Sequence, residues 1–162
     1  MSQLSHFDDQ GASRMVDVGQ KEVTARSARA SARVRMEAAT LQGIRERKIA
    51  KGDVLEVARL AGIMAAKRAF ELIPLCHPLP LDAVSLTFGF ADERTVTIVA
   101  EVRATARTGV EMEALVAASI AALTIYDMCK SVDRTMVVEQ VRLEEKAGGK
   151  SGHFVRQSGT VP

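Results

Sequence analysis

Tryptophan is absent from this sequence, tyrosine occurs once (Tyr126) and phenylalanine five times. So few aromatic rings leave few platforms on which bases could stack, which disfavours capture of single-stranded nucleic acid. A surplus of either charge is missing too. The 22 basic and 20 acidic residues leave a net charge of +2, too little for bulk attraction of a polyanion, although a local basic pocket stays open. Cysteine is scarce: Cys76 and Cys129 lie in apolar settings with no CxxC spacing, as reduced thiols of a cytoplasmic protein do. Apolar stretches are broken by charge or proline within about a dozen residues, short of the ~20 that span a bilayer. The stretch from Met1 to Asp9 has no basic start followed by an apolar run, so neither a secretory signal nor a membrane partner is expected.

What is present is ordinary globular material, 47% hydrophobic and 26% charged over 162 residues, enough for one core. Residues 1–13 read as a flexible arm, 14–156 as a single domain and 157–162 as a polar tail. Met15–Val18 suggests a short strand. From Thr24 to Met36 small or apolar residues alternate with Arg or Ser, a period of two that gives one buried and one basic face. Ala39–Lys48 reads as a short helix. Asp53 followed by Glu56 is a capping-box signature, and the apolar positions after it predict a long helix to about Leu72, with Ala and Gly where another element could approach. Pro74, Pro78 and Pro80 end it and stiffen the loop they share.

Val84–Phe90 and Thr95–Arg107 alternate as an antiparallel pair joined through Ala91–Arg94. A second long helix is predicted over about Val110–Val132, with apolar positions at 112, 115, 116, 120, 123 and near 127. Thr135–Lys146 is a last strand, and the tail after it turns glycine-rich and polar. With the N-terminal strands set aside, the order is strand, helix, strand, strand, helix, strand. That order predicts an α+β, ferredoxin-like split βαβ fold: an antiparallel sheet with two long helices on one face.

Four clusters carry residue types with chemistry in them. Lys51 precedes a helix; a lysine there is commonly a solvated end, but beside free backbone N–H groups it suits a phosphate or another anion. His77 sits in a proline-framed loop beside Leu75 and Cys76, where the direction of an imidazole can be fixed. Cys76, His77 and Cys129 lack the paired spacing of zinc ligands, and no metal site is assigned. In Thr108-Gly109-Val110-Glu111-Met112-Glu113, Thr108 reads as a helix cap with acids in the first turn. At ~100° per residue Glu111 and Glu113 point about 160° apart, so the dipole accounts for one of them. Asp127 and Lys130, three apart among Tyr126, Met128 and Cys129, are expected to be partly desolvated, where a lysine can lose its proton near neutral pH. The segment Gly148-Gly149-Lys150-Ser151-Gly152 has the residues of a phosphate loop without Walker spacing or a following helix, and a flexible tail explains it equally well. Together the clusters describe a pocket of lysines, a histidine and carboxylates, fit for acid–base work on a polyanionic small molecule with no metal or organic cofactor.

Met15-Val16-Asp17-Val18, Lys51-Gly52-Asp53-Val54, Ile73–Leu79, Thr108–Leu115, Leu123–Lys130 and Gly148–Gly152 resemble the MoaC family, the cyclic pyranopterin monophosphate synthases, in content and order. The resemblance covers Met15 to about Arg156; departures lie in the arm and the final tail. It implies a cofactor-free cytoplasmic lyase of molybdenum cofactor biosynthesis. Such an enzyme rebuilds (8S)-3′,8-cyclo-7,8-dihydroguanosine 5′-triphosphate, the product of a radical enzyme, into cyclic pyranopterin monophosphate and expels diphosphate. It further implies a homohexamer, a trimer of dimers with sites at the dimer interface, on a ferredoxin-like fold. The family's acid–base residues map onto Lys51, Asp127 and Lys130, with Asp127 at the active-site position. Its substrate contacts map onto Leu75, Cys76, His77, Met112 and Glu113. Lys67, Glu111, Lys146 and Lys150 are candidates for phosphate contact or for support of the site. The competing readings are a non-catalytic nucleotide-binding regulatory module on the same fold, a single-stranded RNA binder, and an inactive homologue.

Overall fold

The computed structural model describes residues 10–157; the expected arm through Asp9 and the tail from Ser158 lie outside the described residues. Five strands form one antiparallel sheet: β1 (Thr24–Arg35), β2 (Ala83–Phe90), β3 (Thr95–Ala106), β4 (Val137–Ala147) and β5 (Phe154–Val155), in the order β2-β3-β1-β4-β5. Among the described residues there are four helices: α1 (Ala38–Arg45), α2 (Val54–Ala66), α3 (Ala69–Leu72) and α4 (Glu111–Cys129). The first four strands with α2 and α4 make the split βαβ arrangement. The first strand of that motif is the long alternating segment beginning at Thr24, which the sequence count had set aside.

β1 shows why the alternation was informative. Ala28, Ala30, Ala32 and Val34 turn inward and are buried, while Arg29, Arg33 and Arg35 turn outward. There Arg29 meets Glu145 at 3.0 Å and Arg35 meets Glu139 at 3.6 Å. On β3 the inward row is Val96, Ile98, Ala100, Val102 and Ala104. Against this floor α4 lays Ala114, Ala117, Ala118, Ala121, Ala122 and Ile125, all without solvent exposure. The buried face of α4 is thus its alanine face. Of the larger positions singled out from periodicity, Leu115 packs against this core, Val116 and Ile120 pack with Ala65, Ala69 and Ile73, and Leu123 is exposed. A helix seated close to a sheet selects small side chains in the contact. By length and composition α4 could cross a membrane, contrary to the run-length reading, but its alanine face is spent on the sheet and its ends carry Glu111, Glu113 and Asp127.

Other boundaries differ for local reasons. Met15–Val18 forms no strand; the Val16 carbonyl meets the His77 ring instead. The helix expected through Leu72 breaks at Lys67–Arg68, where Arg68 leaves helical geometry (ψ 16°), and the turn buries Ala69 beside Val116. The tail is ordered through Arg156: Gly148, Gly149 and Gly152 take positive φ, and β5 returns to pair with β4.

α2 crosses α4 at Gly62. A Cβ built there would lie 2.5 Å from Leu86 Cδ2 and 2.9 Å from the Ala117 carbonyl oxygen, so the two helices meet at a hydrogen atom. Gly62→Ala should cost about 1–3 kcal/mol through overpacking, read as a lowered urea midpoint at unchanged slope. An unaltered midpoint would mean that α2 can move off α4 freely.

Candidate active site

The N-terminus of α4 and the proline-framed loop Pro74–Pro80 enclose a cleft of about 390 Å³. Leu75, Cys76, His77, Met112 and Glu113 all line it, so the expected substrate contacts come together. Asp53 caps α2 by accepting from the Glu56 N–H at 3.3 Å. At α4 the cap position is Val110, with no side-chain bond, and not Thr108. The Glu111 carboxylate folds back over Gly109, where a Cβ would sit 1.9 Å from its Oε2. His77 Nε2 lies 2.8 Å from the Val16 carbonyl oxygen, an acceptor only. In the neutral ring Nε2 therefore carries the hydrogen and Nδ1 is the acceptor.

Glu113 is 4% exposed. Burial pushes its carboxyl above the ordinary range, and the neighbouring Glu111 charge adds to the rise. Cys76 is pushed up by burial and then by Glu113, which keeps its thiol protonated and a weak nucleophile.

A second cavity of about 590 Å³ adjoins the first through Lys21, Thr108, Gly109 and Glu111. Arg26, Arg107, Lys150 and Lys21 give it four cations. Arg26 reaches the Ala106 and Arg107 carbonyls, each at 3.4 Å, and Arg107 reaches the Lys21 carbonyl at 3.2 Å. Thr24 Oγ1, at its edge, is buried with no hydrogen-bond partner among the described residues. A cationic recess joined to a polar slot is what a nucleotide triphosphate needs. Sequence reading missed Lys21 and Arg26, and gave no role to Arg107, which opens the cluster running to Glu113. The available signal was the Gly148-Gly149 pair, because a Cβ on Gly149 would lie 1.5 Å from Arg26 Nη1. Of the further candidates, Glu111 and Lys150 line this cavity. Lys146 is instead bound to the Ser151 hydroxyl, and Lys67 sits at the end of α2; neither lines either cavity.

Lys51, Asp127 and Lys130 converge elsewhere, at the C-terminus of α4. Lys130 Nζ is 2.6 Å from Asp127 Oδ1, and Lys51 Nζ is 3.3 Å from Oδ2 and 2.8 Å from the Asp127 carbonyl oxygen. The expected desolvation does not occur within one chain: the three side chains are 43–56% exposed. The apolar neighbours Met128 and Cys129 turn into the core, leaving the charged pair on the outer face. Lys130 first and Lys51 second hold the Asp127 carboxyl below the usual range, so at neutral pH it is a carboxylate. Burial pushes the Cys129 thiol up to about 11. Among the described residues no three His, Cys, Asp or Glu side chains converge as a metal set.

The pH dependence of stability should separate the two acids. Glu113 holds its proton more tightly when folded, so its contribution is complete below about pH 4.3 and is lost as pH rises through its raised value. Glu113→Gln should therefore raise the thermal midpoint at neutral pH and leave it unchanged near pH 4. Asp127 has the opposite sign: its contribution is present at neutral pH and is lost as pH falls through its lowered value. Asp127→Asn should weaken the fold slightly at neutral pH and not in strong acid. Thermal melts across that range check both.

Comparison with known proteins places the sequence. The MoaC family model matches residues 15–149. A protein from Heliobacterium modesticaldum named cyclic pyranopterin monophosphate synthase is 58% identical over 158 residues, 97% of this chain and 99% of that protein. One of the same name from Desulfitobacterium hafniense is 56% identical over 155 residues, 96% and 95% of the two chains. Cyclic pyranopterin monophosphate synthase 3 of Mycobacterium tuberculosis (strain H37Rv) is 56% identical over 158 residues, 98% and 89%. Those matched residues run from the Val16 carbonyl behind His77 through both cavities to the Lys51–Asp127–Lys130 cluster, and on that extent the chain belongs to the MoaC family.

Proposed function

We propose that the chain is a cyclic pyranopterin monophosphate synthase, a lyase that converts (8S)-3′,8-cyclo-7,8-dihydroguanosine 5′-triphosphate to cyclic pyranopterin monophosphate and diphosphate, with residues 14–156 as the catalytic unit. The observation that carries this reading is the joined pair of cavities: a slot ending on the buried Glu113 and a recess holding Lys21, Arg26, Arg107 and Lys150. The slot takes the guanine-derived ring, whose amino edge donates to Glu113 while Met112 and Leu75 pack against it. His77, its Nε2–H engaged by Val16, offers Nδ1 to the substrate. The recess takes the triphosphate, and its cations offset the charge that develops as diphosphate leaves. Cyclisation and ring opening need protons moved at several nitrogen, carbon and oxygen atoms, and Lys51, Asp127 and Lys130 are the groups assigned to carry them. Asp127 is the base and tunes Lys130; the lysines donate and accept. Two unpaired free thiols suit the reducing cytoplasm.

α4 keeps these two sets apart. Glu113 and Asp127 are 14 residues apart on one continuous helix, about 21 Å along the axis and ~40° apart around it. The substrate does not span that gap beside one helix. A two-fold axis that brings the start of one α4 near the end of its partner's unites them, and each isologous dimer then holds two equivalent sites. Val57, Leu60 and Met64 on α2, and Leu123 on α4, are exposed apolar side chains suited to such a contact. Three such dimers form the hexamer. Closure would also remove water from Asp127 and the lysines, giving the desolvation that one chain lacks.

The purified protein given the cyclised triphosphate should release diphosphate, and should go on doing so after exhaustive metal chelation. Lys51→Ala and Lys130→Ala should abolish turnover, and Lys130→Arg should restore little, because a guanidinium stays protonated. Near-normal turnover in Lys130→Ala would remove Lys130 as a proton carrier. Mixing Glu113→Ala with Asp127→Ala subunits should recover about a quarter of the sites under random pairing. No recovery despite subunit exchange would rule out the shared site.

A further inference from the structure

Besides Glu113, Asp133 is the one buried acid among the described residues, and nothing in the proposed chemistry uses it. It lies three residues beyond Lys130, and each of its oxygens is doubly engaged. Oδ2 accepts from the Glu37 N–H at 2.9 Å and the Thr40 hydroxyl at 3.2 Å. Oδ1 accepts from the Thr135 N–H at 2.9 Å and the Thr135 hydroxyl at 2.8 Å. Glu37 is the cap residue of α1 and makes no capping bond with its own side chain. Asp133 therefore caps α1 from another part of the chain, satisfying an N–H that the helix leaves open.

We infer that Asp133 is a positioning residue for the Lys51–Asp127 pair, because it closes a ring of contacts that sets where Lys51 can stand. The inference rests on the reading of Lys51, Asp127 and Lys130 as the proton-transfer group. Asp133 fixes the start of α1, and Leu41 and Ile44 bury the helix on the core. α1 ends in a tight turn: Arg47 takes a φ of 55° and Lys48 N–H donates to the Gly43 carbonyl at 2.9 Å. A second turn follows at once, with Gly52 at a φ of 103° and its N–H on the Ile49 carbonyl at 3.0 Å. Lys51 sits inside that second turn and donates back to Asp127. From Asp127, α4 runs to Cys129, whose carbonyl accepts from the Asp133 N–H at 3.0 Å. Lys51 has a long flexible stem, so its reach is only as reproducible as the turn that carries it. The turn in turn is only as fixed as α1.

The electrostatics agree. Burial works to raise the Asp133 carboxyl, and the Glu37 N–H, the two Thr135 groups and the Thr40 hydroxyl more than offset it, leaving the carboxyl below the usual range. It is an ionised acceptor of four donors. An amide cannot replace it, since its NH₂ would face a donor on one side.

The test compares Asp133→Asn, Thr40→Val, Lys51→Ala and the unaltered enzyme by steady-state diphosphate release, well below each variant's melting temperature. Asp133→Asn should lower kcat ~10- to 100-fold, as displaced catalytic groups do. KM should stay within about two-fold, because the cavities at the other end of α4 are untouched. Thr40→Val, which removes one of the four donors, should lower kcat less, at unchanged KM, and it carries the test if Asp133→Asn does not fold. A purely structural role would lower the melting temperature and leave kcat alone; that result in either folded variant overturns the inference, as does a rise in KM at constant kcat. If Lys51→Ala itself turns over normally, the proton-transfer reading fails first. If only Lys51→Ala is inactive, the positioning inference alone fails.

Discussion

The seating of α4 on β1 and β3 through alanine governs the rest of the structure. Ala28, Ala30 and Ala32 on one side meet Ala117, Ala118, Ala121 and Ala122 on the other. Methyl groups interdigitate at short range and bring backbone near backbone, so the contact gains more from dispersion between main-chain atoms than from large apolar side chains. Added volume there has nowhere to go. The same seating holds α4 as one unbroken helix of 19 residues, which sets the separation of its two ends.

Those ends treat their acids in opposite ways. Glu113 is withdrawn from water with Glu111 nearby, and its charge is opposed. Asp127 stands in water between two ammonium groups, and its charge is favoured. A buried acid with no cation beside it is suited to a hydrogen-bonding ligand that replaces the lost water. An exposed carboxylate between two lysines is suited to exchange protons once water is displaced. On the proposed function, recognition and proton transfer are divided between the first and last turns of one helix.

Much of this was legible in the sequence, and the failures have physical reasons. Alternation exposed β1, β2 and β3 because Ala against Arg and Val against Thr mark two faces without ambiguity. Asp53 was readable as a cap because its partner N–H belongs to the same few residues. Thr108 misled because the cap position falls at Val110, and the Glu111 carboxylate folds over Gly109. The apolar stripe on α4 was drawn through its large residues, whereas close packing had chosen its alanines. Arg26 stands in the inward row of β1, two places before Ala28, where alternation leads to a small or apolar residue, and nothing local marks it as facing the cavity lined by Gly149. Asp133 was passed over because two of its four donors, the Glu37 N–H and the Thr40 hydroxyl, come from residues nearly a hundred positions earlier. β5 holds two residues and depends on backbone angles of three glycines, which no side-chain pattern encodes.

The length of α4 has a consequence for the order of the kinetics. With recognition at one end of a rigid rod and proton transfer at the other, an isolated subunit on the shared-site reading holds two half-sites and no whole one. Catalysis then becomes a property of the encounter between subunits. Rate per subunit would be constant while the assembly is saturated and would fall away on dilution below its dissociation constant. The amount of protein, as well as the amount of substrate, would set whether the reaction runs.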